Sequence, residues 1–120
     1  MNGISPQLQN QITQYQQTQQ QLQTVSTQKV QMESQKREMV RTSDELGKST
    51  GDVYKNVGSL LVKVDDKDKL KAEIDDSIET MEIRIKGLDR QEKSLRERYD
   101  ALQNAINAAM GQQPISAPNE

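Results

Sequence analysis

IDDSIETMEIRIKGLDRQEKSLRERYDALQNAINAA, residues 74–109, carries its apolar side chains on alternating steps of four and three. Ile74, Ile78, Met81, Ile85, Leu88, Leu95, Tyr99, Leu102, Ile106 and Ala109 hold the frame, with Glu92 as its polar interruption. A repeat of about 3.5 residues sustained over about five heptads is a coiled-coil seam, because only a slightly underwound helix keeps such positions on one line. The stretch predicts a long helix that needs a partner along its whole length.

The first part of the chain supplies that partner. Leu8, Ile12, Tyr15, Leu22, Val25, Met32, Met39 and Leu46 follow similar spacing, with Gln19, Lys29, Lys36 and Ser43 at the intervening seam positions. In this frame Gln19, Leu22 and Val25 are separated by two successive steps of three, a stammer that overwinds the coil locally. Lys29 and Lys36 are expected to snorkel their ammonium groups to solvent. Ser5-Pro6 reads as N-cap and first helical position, Gly47 as a stop after Leu46. Asp65 to Asp68 place acidic residues at the start of the second helix, and Gly111 with Pro114 closes it. The helices are predicted at about 6–46 and 66–110, each roughly 65 Å long at about 1.5 Å per residue.

Between them, Val53-Tyr54-Lys55-Asn56-Val57, Gly58-Ser59 and Leu60-Leu61-Val62-Lys63-Val64 suit two strands and a two-residue type II′ turn. That register sets Val57 opposite Leu60, Lys55 opposite Val62 and Val53 opposite Val64; a longer turn would swap the faces. The fold class is mainly α: an antiparallel two-helix coiled coil joined by one β-hairpin at about 53–64. An isolated hairpin is marginal in water, and this one has two open edges and an apolar face that nothing in the chain covers. Assembly with other copies or a related subunit into an inter-subunit β-barrel would bury Val53, Val57, Leu60, Val62 and Val64. Tyr54 and Leu61 complete the expected oligomer interface.

Composition narrows the function classes. The 120 residues suit a single domain, 1–120, with 111–120 as a flexible tail, and with no Phe, no Trp and three Tyr there is no ordinary globular core. Zero Cys and zero His remove disulfides, thiolate chemistry, the commonest general base and the commonest metal ligand. The remaining carboxylates of the second helix alternate with Lys and Arg as on a solvated coiled-coil flank. No catalytic, cofactor or metal site is therefore expected, and the chain reads as a non-enzyme. Without an 18-residue apolar run or a charged-then-apolar leader, it reads as soluble and cytoplasmic.

The net charge of −2 conceals an asymmetry: no charged side chain occurs from Asn2 to Gln28 or from Ala101 to Asn119. Folding the chain back at Gly58 brings these two stretches together into one uncharged, Gln-rich tip. Its apolar groups are Ile4, Leu8, Ile12, Leu102, Ile106, Met110 and Ile115. Nucleic-acid or membrane binding would call for clustered Lys and Arg, which are absent there. Such a tip suits an unfolded polypeptide, held by frayed seam residues and by glutamine amides that bond exposed backbone. The same composition also suits a merely solvated helix end. The residues alone leave a client-holding protein and a structural or adaptor coiled coil with a defined partner both open.

The hairpin Val53-Tyr54-Lys55-Asn56-Val57-Gly58-Ser59-Leu60-Leu61-Val62-Lys63, flanked by equal helices, resembles the β-class subunit of the prefoldin family, most closely its archaeal form. Glu79-Thr80-Met81-Glu82-Ile83-Arg84, Leu88-Asp89-Arg90-Gln91-Glu92 and the Gln-rich opening with Pro6 are similar to it too. The family's α class carries two hairpins, and this chain has room for one. The resemblance implies a hexamer of two α and four β subunits, with a double β-barrel platform and six coiled-coil arms. It further implies an ATP-independent co-chaperone that captures unfolded chains at the arm tips and passes them to a double-ring chaperonin.

Overall fold

The computed structural model describes residues 4–111, arranged as α1 (Pro6–Lys48), β1 (Tyr54–Val57), β2 (Leu60–Lys63) and α2 (Lys67–Ala109). Pro114, Ile115 and the expected tail beyond Gly111 lie outside the described residues. The helix boundaries follow from local hydrogen bonding. Ser5 Oγ accepts the Leu8 N–H at 3.0 Å and Pro6 takes the first helical position, where its missing N–H costs nothing. Asp66 Oδ1 accepts the Lys69 N–H at 3.0 Å and so caps α2, with Asp68 in the first turn. At the far end of α2, Gly111 adopts φ +81° and donates its N–H to the Ala108 carbonyl at 3.1 Å, a left-handed stop.

Gly47 does not end α1. The helix runs on to Lys48, and the Ser49 N–H still bonds the Glu45 carbonyl at 3.0 Å. A Cβ at position 47 would sit 3.2 Å from the Lys71 Cε, so the glycine gives room to a side chain of α2.

The chain forms two compact units, one made of residues up to Gln28 with those from Leu88 onward, the other Lys29–Gly87. In the first, the terminal unit, Tyr15 pairs with Tyr99 and Ser26 Oγ donates to Glu92 Oε2 at 2.5 Å, so α1 and α2 run antiparallel. Leu8, Val25, Ile106 and Thr18 are its buried side chains. Thr18, at 1 % exposure, corrects the expected frame. Gln19 is exposed, and the buried line passes Tyr15, Thr18, Leu22 and Val25 in steps of three, four and three. The alternation is therefore regular from Tyr15 onward, and the two successive steps of three fall nearer the N-terminus, at Ile12, Tyr15 and Thr18, in place of Gln19, Leu22 and Val25. A threonine's methyl and short hydroxyl fit an interhelical layer where a glutamine would have to bury its amide. Ala109, the last position of the predicted α2 seam, is exposed.

The second, hairpin unit is antiparallel by the same criterion. Lys36 Nζ lies 3.1 Å from Glu82 Oε2, Ser43 Oγ donates to Asp75 Oδ1 at 2.5 Å, and Lys67 Nζ donates to the Ser49 carbonyl. Leu46, Ile85 and Ser43 are buried. The Lys36 ammonium thus ends on a carboxylate of α2, where the sequence had pointed it to solvent. In the first two of these contacts α1 supplies the donor and α2 the carboxylate, so polar pairs fix the register along with the apolar seam.

Candidate functional site

The hairpin has the register expected from the sequence: Val57 faces Leu60, Asn56 faces Leu61, Lys55 faces Val62 and Tyr54 faces Lys63. Gly58 leads the two-residue turn at φ +61°, a conformation that a side chain would strain and that matches the twist of the flanking strands. The Val64 N–H donates to the Val53 carbonyl at 2.8 Å, continuing the pairing beyond the strands proper. Lys63 and Asp52 stand 3.9 Å apart at its base.

All eight strand residues are exposed. Leu61 is 70 % exposed, Leu60 64 %, Tyr54 55 %, Val57 50 % and Val62 39 %, whereas Val53 and Val64 are half-buried. A group of large apolar side chains in the open, on a two-stranded sheet whose outer edges have no strand partner among the described residues, is a surface shaped for association. A groove lined by Leu46, Val53, Tyr54, Leu70 and Ile74 extends that apolar surface onto the adjoining helices.

The six residues expected at the tip are placed differently from one another. Ile4 and Met110 are about half exposed at 49 % and 48 %, while Leu8 and Ile106 are buried at 7 % and 1 %. Ile12 and Leu102 are half-buried. Of the six, Ile4 and Met110 therefore offer the most apolar surface, Ile12 and Leu102 offer part of theirs, and Leu8 and Ile106 serve the seam.

Polar side chains tie each unit. Tyr15 Oη donates to Tyr99 Oη at 2.8 Å while the rings stack with centroids 4.6 Å apart. That hydrogen bond, aided by burial, raises the Tyr15 phenol above its ordinary value. Asp75 is held below the usual carboxylate range, first by the Ser43 hydroxyl and then by Lys71, whose Nζ lies 3.0 Å away. Sequence reading seated both tyrosines on seams but had no signal that they meet, since helical spacing fixes a face and not a cross-strand partner. Among the described residues no cluster of three or more His, Cys, Asp or Glu side chains is placed to hold a metal ion. No helix among them is long and apolar enough to cross a membrane.

A family model described as "Prefoldin subunit" matches residues 9–113, a span that takes in the whole hairpin and all of both seams except Leu8. The chain belongs to the prefoldin family. It is similar to prefoldin subunit beta of Thermoplasma acidophilum, 42 % identical over 113 residues that cover 92 % of this chain and 91 % of that one. Prefoldin subunit beta of Archaeoglobus fulgidus is 44 % identical over 117 residues, covering 92 % and 100 %. The crystal structure of the prefoldin beta subunit from Thermococcus strain KS-1 superposes with a TM-score of 0.81 at 40 % identity, covering 92 % of this chain and 98 % of that one. As a prefoldin-family subunit of the beta type, the chain is a non-enzymatic co-chaperone that assembles with other prefoldin subunits. The exposed hairpin is consistent with a chain that does not function alone.

Proposed function

We propose that the hairpin joins this chain to an α-class partner and further copies of itself, and that the terminal unit holds unfolded polypeptides without nucleotide. Val53, Tyr54, Val57, Leu60, Leu61, Val62 and Val64 are the assembly surface, in a hexamer of two α and four β subunits. Ile4, Leu8, Ile12, Leu102, Ile106 and Met110 are the client surface. The protein works in the cytoplasm and hands its clients to a double-ring chaperonin.

The observation that carries the client reading is the absence of charged side chains at residues 2–28 and 101–119 in an otherwise highly charged chain. Defined coiled-coil partnerships write their specificity in charged flanks, whereas a surface that must accept many sequences cannot. Ile4 and Met110 supply standing contacts, and separation of the helix ends adds Leu8, Ile12, Leu102 and Ile106. If one arm covers roughly 200 Å² of apolar client surface, the gain of about 5 kcal/mol is largely offset by lost association entropy. One arm therefore binds weakly, and several arms on one platform raise the effective concentration of later contacts towards the millimolar range.

Removing residues 1–10 together with everything after Leu102 tests this reading. Hexamer assembly with the α-class partner should survive while suppression of client aggregation collapses, more steeply than the area lost. Undiminished suppression by the truncated hexamer would place client binding elsewhere. A wild-type hexamer that fails to suppress aggregation of unrelated denatured proteins would favour the adaptor reading.

A further inference from the structure

Tyr15 and Tyr99 lie face to face in the terminal unit, ring centroids 4.6 Å apart, planes inclined by 19°, and phenol oxygens 2.8 Å apart. The carbons ortho to each hydroxyl adjoin the carbon that bears it, so holding the two oxygens in hydrogen-bond contact keeps the ortho carbons of the two rings within a few bond lengths of each other. Both tyrosines are half-buried. The sequence holds no Cys, Trp or His, so neither thiol nor indole competes for a one-electron oxidant or drains a tyrosyl radical. The third tyrosine, Tyr54, stands 55 % exposed on the hairpin.

We propose that Tyr15 and Tyr99 are an oxidative cross-linking site, at which a one-electron oxidant of the haem-peroxidase class couples the two rings into dityrosine. Each phenol gives up one electron and one proton, and together they reduce one hydrogen peroxide to two waters. The two phenoxyl radicals pair their electrons in a new carbon–carbon bond between ortho carbons. Each of those carbons then releases its proton and each oxygen regains one, which restores both phenols and leaves the chain two hydrogen atoms lighter. The ring geometry supplies the proximity, so coupling within the chain outruns coupling between chains in dilute solution. The bond spans 84 residues of sequence and ties α1 to α2 within the unit. States in which those two helices separate are removed from its ensemble.

The test exposes the dilute full-length chain to hydrogen peroxide and a haem peroxidase, then measures dityrosine fluorescence, intact mass and cross-linked peptides. The wild-type chain and Tyr54→Phe should give equal yields of a peptide pair joined through Tyr15 and Tyr99, at the mass of a single chain. Tyr15→Phe and Tyr99→Phe, which keep the ring and the helicity read by circular dichroism, should each lower the yield by at least about tenfold. The wild-type chain unfolded in urea should lose it likewise. A yield that survives either Phe variant, survives urea, or appears chiefly between chains through Tyr54 would overturn the assignment.

Discussion

The hairpin unit and the terminal unit share two helices and use them in opposite ways. The hairpin unit is laced with charge, pairing Lys36 with Glu82 and Lys71 with Asp75, yet leaves Leu60, Leu61 and Val57 in the open. The terminal unit has long uncharged stretches, yet buries Leu8, Val25 and Ile106. Where polar bonds and a seam already fix the register, apolar surface can be left over for a permanent partner. Where charge is absent, the apolar seam carries more of the cohesion, beside the Tyr15–Tyr99 and Ser26–Glu92 contacts.

The contrast breaks most visibly at the strands. Val57→Asp with Val62→Asp sets charges on the face proposed for burial, and sedimentation with the α-class partner should show loss of the proposed hexamer while circular dichroism keeps its helical signal. An undisturbed hexamer would remove the hairpin from the interface.

The next largest effect lies in the terminal unit's frame. Thr18→Asp buries a carboxylate at a site 1 % exposed and should cost about 2–4 kcal/mol in thermal unfolding. Gln19→Asp, on the exposed neighbour, should stay within about 0.5 kcal/mol. Equal penalties would return Gln19 to the seam.

Smaller changes sharpen the account of the charged unit. Lys36→Leu should raise the melting temperature slightly, a gain of about 0.5–1 kcal/mol, because leucine adds seam burial while an ion pair between half-exposed partners contributes little. A lower melting temperature would show that the Glu82 pair outweighs the seam. The smallest effect is on acid stability. Asp75 is depressed in the folded state, so its contribution is complete above its unfolded value of about 3.9 and fades as pH falls through the lower folded value. Asp75→Asn should flatten the stability curve below about pH 4 and nowhere else. An unchanged acid limb would discount the Ser43 and Lys71 contacts.

The parts of this fold that sequence made legible are those written locally. Ser5 and Pro6, Asp66 and Gly111 cap their helices through neighbours three or so residues away, and Gly58 sets the hairpin register through one dihedral angle. The seam of α2 was readable down to Ile106 because its apolar residues are dense. What escaped depended on the other helix. Thr18 and Gln19 are both polar, and only the packing of α2 chooses between them. Gly47 resembles a stop until the Lys71 side chain occupies the space beside it. The pairings of Lys36 with Glu82 and Tyr15 with Tyr99 join residues tens of positions apart, beyond anything periodicity reports. At the candidate tip the sequence identified apolar residues in an uncharged setting, but how many face solvent at once is decided by closure of the two helices.

The open edges of β1 and β2 also bear on how a cell must make this chain. Unpaired backbone donors and acceptors beside exposed leucines and valines form a template for any other extended segment, including the same hairpin in another orphan copy. A subunit made in excess of its partners would keep that template uncovered, so assembly would also shield the chain from pairing with its own kind.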